Sequence, residues 1–141
     1  MYILDTNIFS ELMRPCPNNN VLNWLDNQYI EDLYISSISI AEIYLGIALL
    51  PEGQRKVALT LAANDALIAF SNKPLDFTQK AAREYADIVA SRTRLGRPIS
   101  VEDAQIAAIA RANNASVVTR NVNDFEAINV TIINPFNDHI I

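Results

Sequence analysis

Several residue types that mark particular classes of protein are scarce in this sequence. It has one cysteine, one histidine and three glycines in 141 residues. A single cysteine cannot form an internal disulfide, and so few glycines do not build a phosphate-binding or dinucleotide-binding loop. No apolar run approaches the roughly 18 residues that cross a bilayer, and no positively charged leader precedes Asp5. We therefore expect one globular domain over residues 1–141, located in the cytoplasm and without a membrane partner.

Basic residues are also few, and they are unevenly placed. The chain has 16 acids, 11 bases and a formal net charge of −5, whereas proteins that bind nucleic acid usually carry excess lysine and arginine. Residues 1–54 contain one base, Arg14, against seven acids, but residues 55–111 contain nine bases against six acids. This segregation predicts a dipolar surface with distinct partners, so the net charge alone does not exclude RNA.

Short apolar runs alternate with segments of helical periodicity. The first run ends at Asp5, and a helix is predicted to begin at Thr6. Further strands are predicted within 32–37, 115–119 and 130–133, and helices between them. A helix predicted over 54–70 has an uncertain boundary with the segment 72–77. The alternation favours an α/β fold, with a central parallel sheet of about four to five short strands flanked by helices.

Four acidic side chains occupy related places in this plan. Asp5 ends the first strand, Glu42 and Asp103 lie about one turn into predicted helices, and Asp124 follows the strand at 115–119. In a parallel sheet these positions share one edge, where such folds bind ligands. The carboxylates would repel one another unless a cation neutralised them. Oxygen ligands suit Mg²⁺, with Mn²⁺ as the alternative.

Each acid also has a purely structural explanation. Residues 39–42 and 100–103 resemble capping boxes, in which a hydroxyl caps a helix and an acid follows three residues later. Asp5 is placed to cap the helix that follows it, and Asp124 fits an ordinary loop. Capping does not require all four at one edge of the sheet, and this joint placement favours a metal site. Gly46 follows Glu42 by one helical turn, which predicts open space beside that carboxylate.

Four segments carry a family resemblance: ILDTN at 3–7, SSISIAEIYLGIALL at 36–50, SVEDAQIAAIA at 100–110, and TRNVNDF at 119–125 with INP at 133–135. In this order and spacing they resemble the PIN-domain ribonucleases, especially the toxin subunits of VapBC-type toxin–antitoxin pairs and their FitB-like branch. The resemblance spans the chain from Tyr2 to about Phe136. It implies a PIN-like domain.

The resemblance also implies roles for individual residues. It makes three carboxylates the acidic metal site: Asp5, Glu42 and Asp103. It assigns supporting hydrogen bonds to Thr6, Asn7 and Thr119. For the fourth acid, relatives differ between the positions of Asn121 and Asp124, and we predict Asp124 as the ligand with Asn121 as a neutral or supporting group.

The implied activity is that of a metal-dependent endoribonuclease, which hydrolyses RNA phosphodiesters through a carboxylate-held Mg²⁺ and an activated water. The implied partners are an antitoxin, the RNA substrate and a second copy of the chain, in a homodimer within a hetero-oligomer that reaches DNA only through the antitoxin. The alternative is a catalytically silent PIN-fold module that acts with an antitoxin in a DNA-binding, autoregulatory complex.

Two further groups of residues have alternative interpretations. We predict that Arg92, Arg94 and Arg97 contact RNA phosphates, although a solvated helix end would also explain them. Four apolar side chains are expected to form part of the core or, as the resemblance implies, to line a groove for an antitoxin helix: Leu12, Met13, Trp24 and Leu25. His139 is expected in a frayed tail and not as a general base.

Overall fold

The computed structural model describes residues 1–70 and 74–137. The strands are β1 (Tyr2–Leu4), β2 (Leu33–Ser36), β3 (Pro74–Leu75), β4 (Ser116–Val118) and β5 (Ile132–Ile133). The helices are α1 (Thr6–Leu12), α2 (Asn19–Asp26), α3 (Ser37–Ala48), α4 (Gln54–Ile68), α5 (Gln79–Arg94) and α6 (Val101–Ala112). Short 3₁₀ turns cover Ile30–Asp32 and Val122–Phe125. His139 and part of the uncertain boundary at 72–77 lie outside the described residues.

The strands form one parallel sheet in the order β3-β2-β1-β4-β5. The predicted α/β architecture is therefore confirmed. Ile3 is in register with Tyr34 of β2 and with Val117 of β4, so β1 is the central strand. The strand order reverses between β1 and β4, and ligands of such sheets bind at the carboxyl ends of the strands beside this reversal.

Alternating side chains of the sheet supply two apolar cores, one on each face. Ile3 and Val117 pack with α5 and α6, whereas Leu4 and Val118 pack on the opposite face with α1 to α4. Strand residues alternate between faces, so neighbouring positions serve different cores. The first core is rich in small residues of α6, which are fully buried: Ala104, Ala107, Ala108 and Ala110. Their size lets α6 lie close to both the sheet and α5.

Helix starts agree with the predictions at two sites and differ at a third. Asp5 caps α1, because its Oδ1 accepts the Thr6 N–H at 2.8 Å. Ser100 caps α6 by accepting the Asp103 N–H at 3.2 Å. The capping box predicted at residues 39–42 is wrong: α3 begins one turn earlier, where Ser36 caps it, and Glu42 lies in the second turn. No helix in the described ranges is both long and apolar enough to cross a membrane.

Candidate functional site

Asp5 lies at the carboxyl end of β1, beside the point where the strand order reverses. Its side chain is 4% exposed and accepts three hydrogen bonds. The Thr6 N–H donates to Oδ1 at 2.8 Å, while the Asn7 amide and the Thr119 hydroxyl donate to Oδ2 at 2.9 and 2.8 Å. Burial raises the pKa of Asp5, the hydrogen bonds lower it in part, and the nearby charge of Asp124 raises it further. The result is a fixed, desolvated carboxyl group with a raised pKa.

Thr119 connects three segments at this point. Its buried hydroxyl has one hydrogen, which it donates to Asp5, so the oxygen acts as the acceptor for the Asn7 amide and the Asn121 N–H, both at 3.0 Å. Asn7 in turn accepts the Arg120 N–H at 3.1 Å. The ends of β1 and β4 and the start of α1 are thereby held in one arrangement. Asn121 contributes through its backbone, and its side chain is exposed.

Glu42 is held by Thr6 and, through it, by Ser39. The Thr6 hydroxyl oxygen lies 2.8 Å from Glu42 Oε1 and 2.9 Å from Ser39 Oγ. One hydroxyl has one hydrogen, so Thr6 donates to the carboxylate and accepts from the buried Ser39. Burial raises the pKa of Glu42, the Thr6 hydrogen bond lowers it, and the charges of Asp5 and Glu102 raise it. The sequence analysis did not identify Ser39 as a supporting residue, because it interpreted Ser39 as a helix cap.

Asp103 faces the other predicted acids from the first turn of α6. Burial first, and then the charges of the other three acids, raise its pKa to about 6, although the hydrogen bond with Ser100 lowers it in part. Asp124 is exposed in the 3₁₀ turn after β4. The structure thus places the four predicted carboxyl groups close enough for their charges to affect one another's pKa. Glu102 was missed, although its place beside Asp103 in an acidic helix start was a visible signal.

The ligand atoms on offer are carboxylate oxygens. Among residues 1–70 and 74–137, no three acidic, histidine or cysteine side chains converge into a closed metal-binding group. The acids form an open cluster, in which burial and mutual repulsion raise the pKa values of Asp5, Glu42 and Asp103. Such a cluster fits Mg²⁺ or Mn²⁺ better than zinc, because Mg²⁺ keeps several waters and takes only one or two carboxylates.

The prediction that Arg92 contacts RNA is wrong. Its side chain is 4% exposed and donates to backbone carbonyls, from Nε to Arg97 at 2.7 Å and from Nη1 to Asp124 and Glu126 at 3.0 Å each. Arg92 therefore supports the segment that carries Asp124 from inside. Arg94 is exposed, and Arg97 forms a surface ion pair with Glu126 at 3.0 Å. These two arginines are accessible to an anionic ligand.

The four apolar residues that were predicted to lie in the core or along a groove do not all have the same surroundings. Trp24 packs edge-to-face on Tyr2, with ring centroids 5.3 Å apart, and belongs to the core. Met13 and Leu25 also pack against that core, and together with Leu12 they line a cavity of about 710 Å³ bounded by α1, α2 and α4. Three of the four thus border this cavity; the core interpretation is confirmed in part, and a groove for an antitoxin helix stays a prediction.

Sequence comparison relates the chain to one family along most of its length. The PIN domain profile matches residues 2–130. The chain is 42% identical to the plasmid stability protein StbB of Pseudomonas syringae, over 96% of this chain and 99% of that protein. It is 38% identical to the toxin FitB of Neisseria gonorrhoeae, over 98% and 100%. It is 40% identical to the VapC ribonuclease Y4jK of Sinorhizobium fredii, over 96% and 98%.

Solved structures with the same fold come from two-component complexes. The structure of FitAB bound to an IR36 DNA fragment contains a chain that matches with a TM-score of 0.90 and 38% identity, over 99% of both chains. VapBC2 from Rickettsia felis, bound to a DNA fragment from its promoter, contains a chain that matches with a TM-score of 0.80 and 26% identity, over 93% of this chain and 96% of that one.

Proposed function

Because the chain belongs to the PIN-domain family, we propose that it is the toxin of a toxin–antitoxin pair and a metal-dependent endoribonuclease. Similar proteins are named as a toxin and as a ribonuclease. The observation that carries the proposal is the meeting of Asp5, Glu42, Asp103 and Asp124 at the carboxyl edge of the sheet. These carboxyl groups lie close enough to raise one another's pKa values, and a bound cation would relieve that repulsion.

The carboxylates would hold the cation, Mg²⁺ or Mn²⁺, at this edge. When bound, the cation supplies positive charge for a phosphodiester oxygen and makes a nearby water more acidic. Thr119 and Asn7 donate to the same oxygen of Asp5, which orients that carboxylate and favours its ionised form. Thr6 does the same for Glu42. Supporting hydrogen bonds of this kind maintain the orientation of metal ligands.

RNA and the antitoxin would use different parts of the surface. Arg94 and Arg97, at the end of α5 and just beyond it, are the proposed contacts for RNA phosphates. The apolar cavity between α1, α2 and α4 is the proposed seat of an antitoxin helix. A homodimer within the complex, and DNA contact through the antitoxin, are parts of the same proposal; the DNA-bound FitAB and VapBC2 complexes, which contain similar chains, support the DNA contact. The cytoplasm, where its RNA substrate occurs, is the proposed location.

The test is to map RNA ends after induced expression. The wild type is compared with Asp5→Asn and with Asp32→Asn, an exposed acid at the opposite edge of the sheet. We expect new 5′-phosphate ends from the wild type and from D32N, and none from D5N. Purified protein should lose the activity in a chelator and regain it with Mg²⁺. Full Mg²⁺-dependent cleavage by D5N would contradict the site assignment.

The second candidate, a silent module in a DNA-binding complex, is favoured by the DNA-bound assemblies of similar chains. It predicts that neither the wild type nor D5N produces new RNA ends, while both bind the antitoxin and the complex shifts promoter DNA equally well. The complete set of four acids favours the enzyme, because a binding module has no need of a buried Asp5 with three more carboxyl groups close enough to affect one another's pKa.

A further inference from the structure

A second cavity, of about 380 Å³, opens directly beside the carboxylate site. Thr6 and Glu42 belong to both, so the cavity continues from the place where the phosphodiester would react. Its walls come from α1, α3 and α4. They are mainly aliphatic side chains: Met13, Ile43, Ile47, Leu50 and Leu59. An apolar recess beside a polar reaction site can take a flat, largely apolar part of a polar substrate.

Two arginines border this cavity. Arg14 is the one base among the first 54 residues, and Arg55 is the next base along the chain. The Arg14 side chain is 65% exposed and pairs with Glu11 at 3.2 Å. Arg55 is exposed and has no ion pair within the part of the chain that the structure describes. Arg14, the one base of the acidic first segment, and Arg55 therefore both lie where an anionic ligand would pass.

We propose that this cavity receives one unstacked nucleobase of a single-stranded RNA, next to the phosphodiester at the carboxylates, while Arg14 and Arg55 contact the flanking phosphates. The inference rests on the proposed ribonuclease function. Proteins that bind single-stranded RNA stack unstacked bases on aromatic side chains or guanidinium planes, with cations along the backbone, and enzymes that take a base out of its stack also hold it between apolar side chains. A cavity with aliphatic walls and a cationic rim, continuous with the reaction site, has these properties.

Substitutions of Gly46 can test whether the cavity binds a base. It lies in α3 one turn after Glu42 and lines the cavity, and a Cβ added there would meet no atom within 4 Å. A Cβ therefore fits there without moving the backbone, and we expect leucine to occupy part of the cavity and alanine a smaller part. Ala48 is exposed on the same helix outside the cavity, so Ala48→Leu is a matched control for added bulk.

The experiment uses the full chain and an oligoribonucleotide that contains a mapped cleavage site. Each nucleotide near that site is replaced in turn by an abasic one, and kcat/KM is measured for the wild type and each variant. We expect one abasic position to lower wild-type kcat/KM about tenfold or more. Gly46→Leu should lower kcat/KM on the intact RNA by a similar factor and no longer distinguish it from the abasic RNA. G46A should be intermediate, and A48L should match the wild type.

Arg55→Gln provides an independent reading at a surface position. We expect it to raise KM. We also expect the plot of log affinity against log salt concentration to become less steep, by the amount that corresponds to about one phosphate contact. Unfolding curves of every variant establish that each is folded under the assay conditions.

Three results would overturn the base site. Equal abasic effects in the wild type and G46L would place the base elsewhere, with cleavage itself intact. Loss of antitoxin binding by G46L with unchanged RNA cleavage would assign the cavity to a peptide. A wild type that cleaves no RNA would overturn the proposed function, and the base site with it.

Discussion

Replacing Arg92 with methionine tests how the fourth acid is held in place. Methionine keeps most of the apolar stem, but it removes the donors for three carbonyls, of residues 97, 124 and 126. A hydrogen bond from a charged donor contributes about 1.5–3 kcal/mol, and an unpaired buried acceptor costs about 1–3 kcal/mol. Removing the desolvated guanidinium offsets part of this loss. We expect R92M to lower the free energy of unfolding by about 3 kcal/mol.

Urea unfolding with a chelator present measures this difference. Arg94→Met is the matched control, because Arg94 is exposed in the same last turn of α5 and carries the same charge. We expect R94M to stay within about 0.5 kcal/mol of the wild type. If R92M unfolded within about 0.5 kcal/mol of R94M, with an unchanged dependence on urea, the three hydrogen bonds would not stabilise the fold and the reasoning would be refuted.

The same substitution should affect cleavage through the position of Asp124. The turn that carries Asp124 would lose its internal support, so we expect R92M to lower kcat about tenfold or more under conditions where it is fully folded. RNA affinity should change little, since Arg92 is buried. Lysine should restore little, because one ammonium group cannot reproduce the planar arrangement of donors. If R92M lost RNA affinity while kcat stayed unchanged, this prediction would be wrong and Arg92 would instead be a phosphate contact.

Three other predictions concern the site and its surroundings. The pKa of Asp103 is raised to about 6 in the metal-free fold, so the folded state holds this proton more tightly and stability falls as the pH rises from about 4 to about 6. Solvent screening reduces the full effect of this pKa shift on stability. In urea unfolding with a chelator, we expect D103N to be about 1 kcal/mol more stable than the wild type at neutral pH and no more stable below about pH 4. A D103N variant less stable than the wild type at neutral pH would contradict this prediction. Thr119→Val removes the hydroxyl that donates to Asp5. We expect it to lower the rate of RNA cleavage about tenfold and the free energy of unfolding in urea by about 1–2 kcal/mol. Wild-type values in both assays would show that the hydroxyl is dispensable. Reversing the charge of Arg94 and Arg97 together should weaken RNA binding and flatten its salt dependence, measured by titration at several salt concentrations, and unchanged binding would mean that they are only a solvated helix end.

The sheet and the acid cluster could be predicted because both depend on local pattern. Apolar runs at 3–4 and 117–118 are short and bounded, so strand positions follow from periodicity. The carboxyl ends of parallel strands meet at one edge, and that rule brings Asp5 and Asp124 together without knowledge of side-chain contacts.

The errors arose where local patterns are degenerate or where long-range contacts decide. Ser36 and Ser39 both precede an apolar helix, and only the packed sheet determines that Ser36 is the cap. Arg92 belongs to a run of three arginines that look alike in sequence. It is buried because α5 ends against the turn after β4, about 30 residues further along the chain. The cavity beside Glu42 depends on how α1, α3 and α4 pack, which the sequence pattern does not specify beyond the small residue at Gly46.

The central place of β1 has a consequence for the order of events during synthesis. Asp5 is made early, but Thr119, which orients it, is made 114 residues later, and β1 must wait for β4 before both its edges are paired. Contacts of such long sequence separation form late, because closing the intervening chain costs entropy before any pairing is gained. Nascent chains that end before β4 contain Asp5, Glu42 and Asp103 but lack Thr119 and Asp124. We therefore expect the complete acid site, and any activity that depends on it, to form only after β4 and the turn that carries Asp124 have emerged from the ribosome.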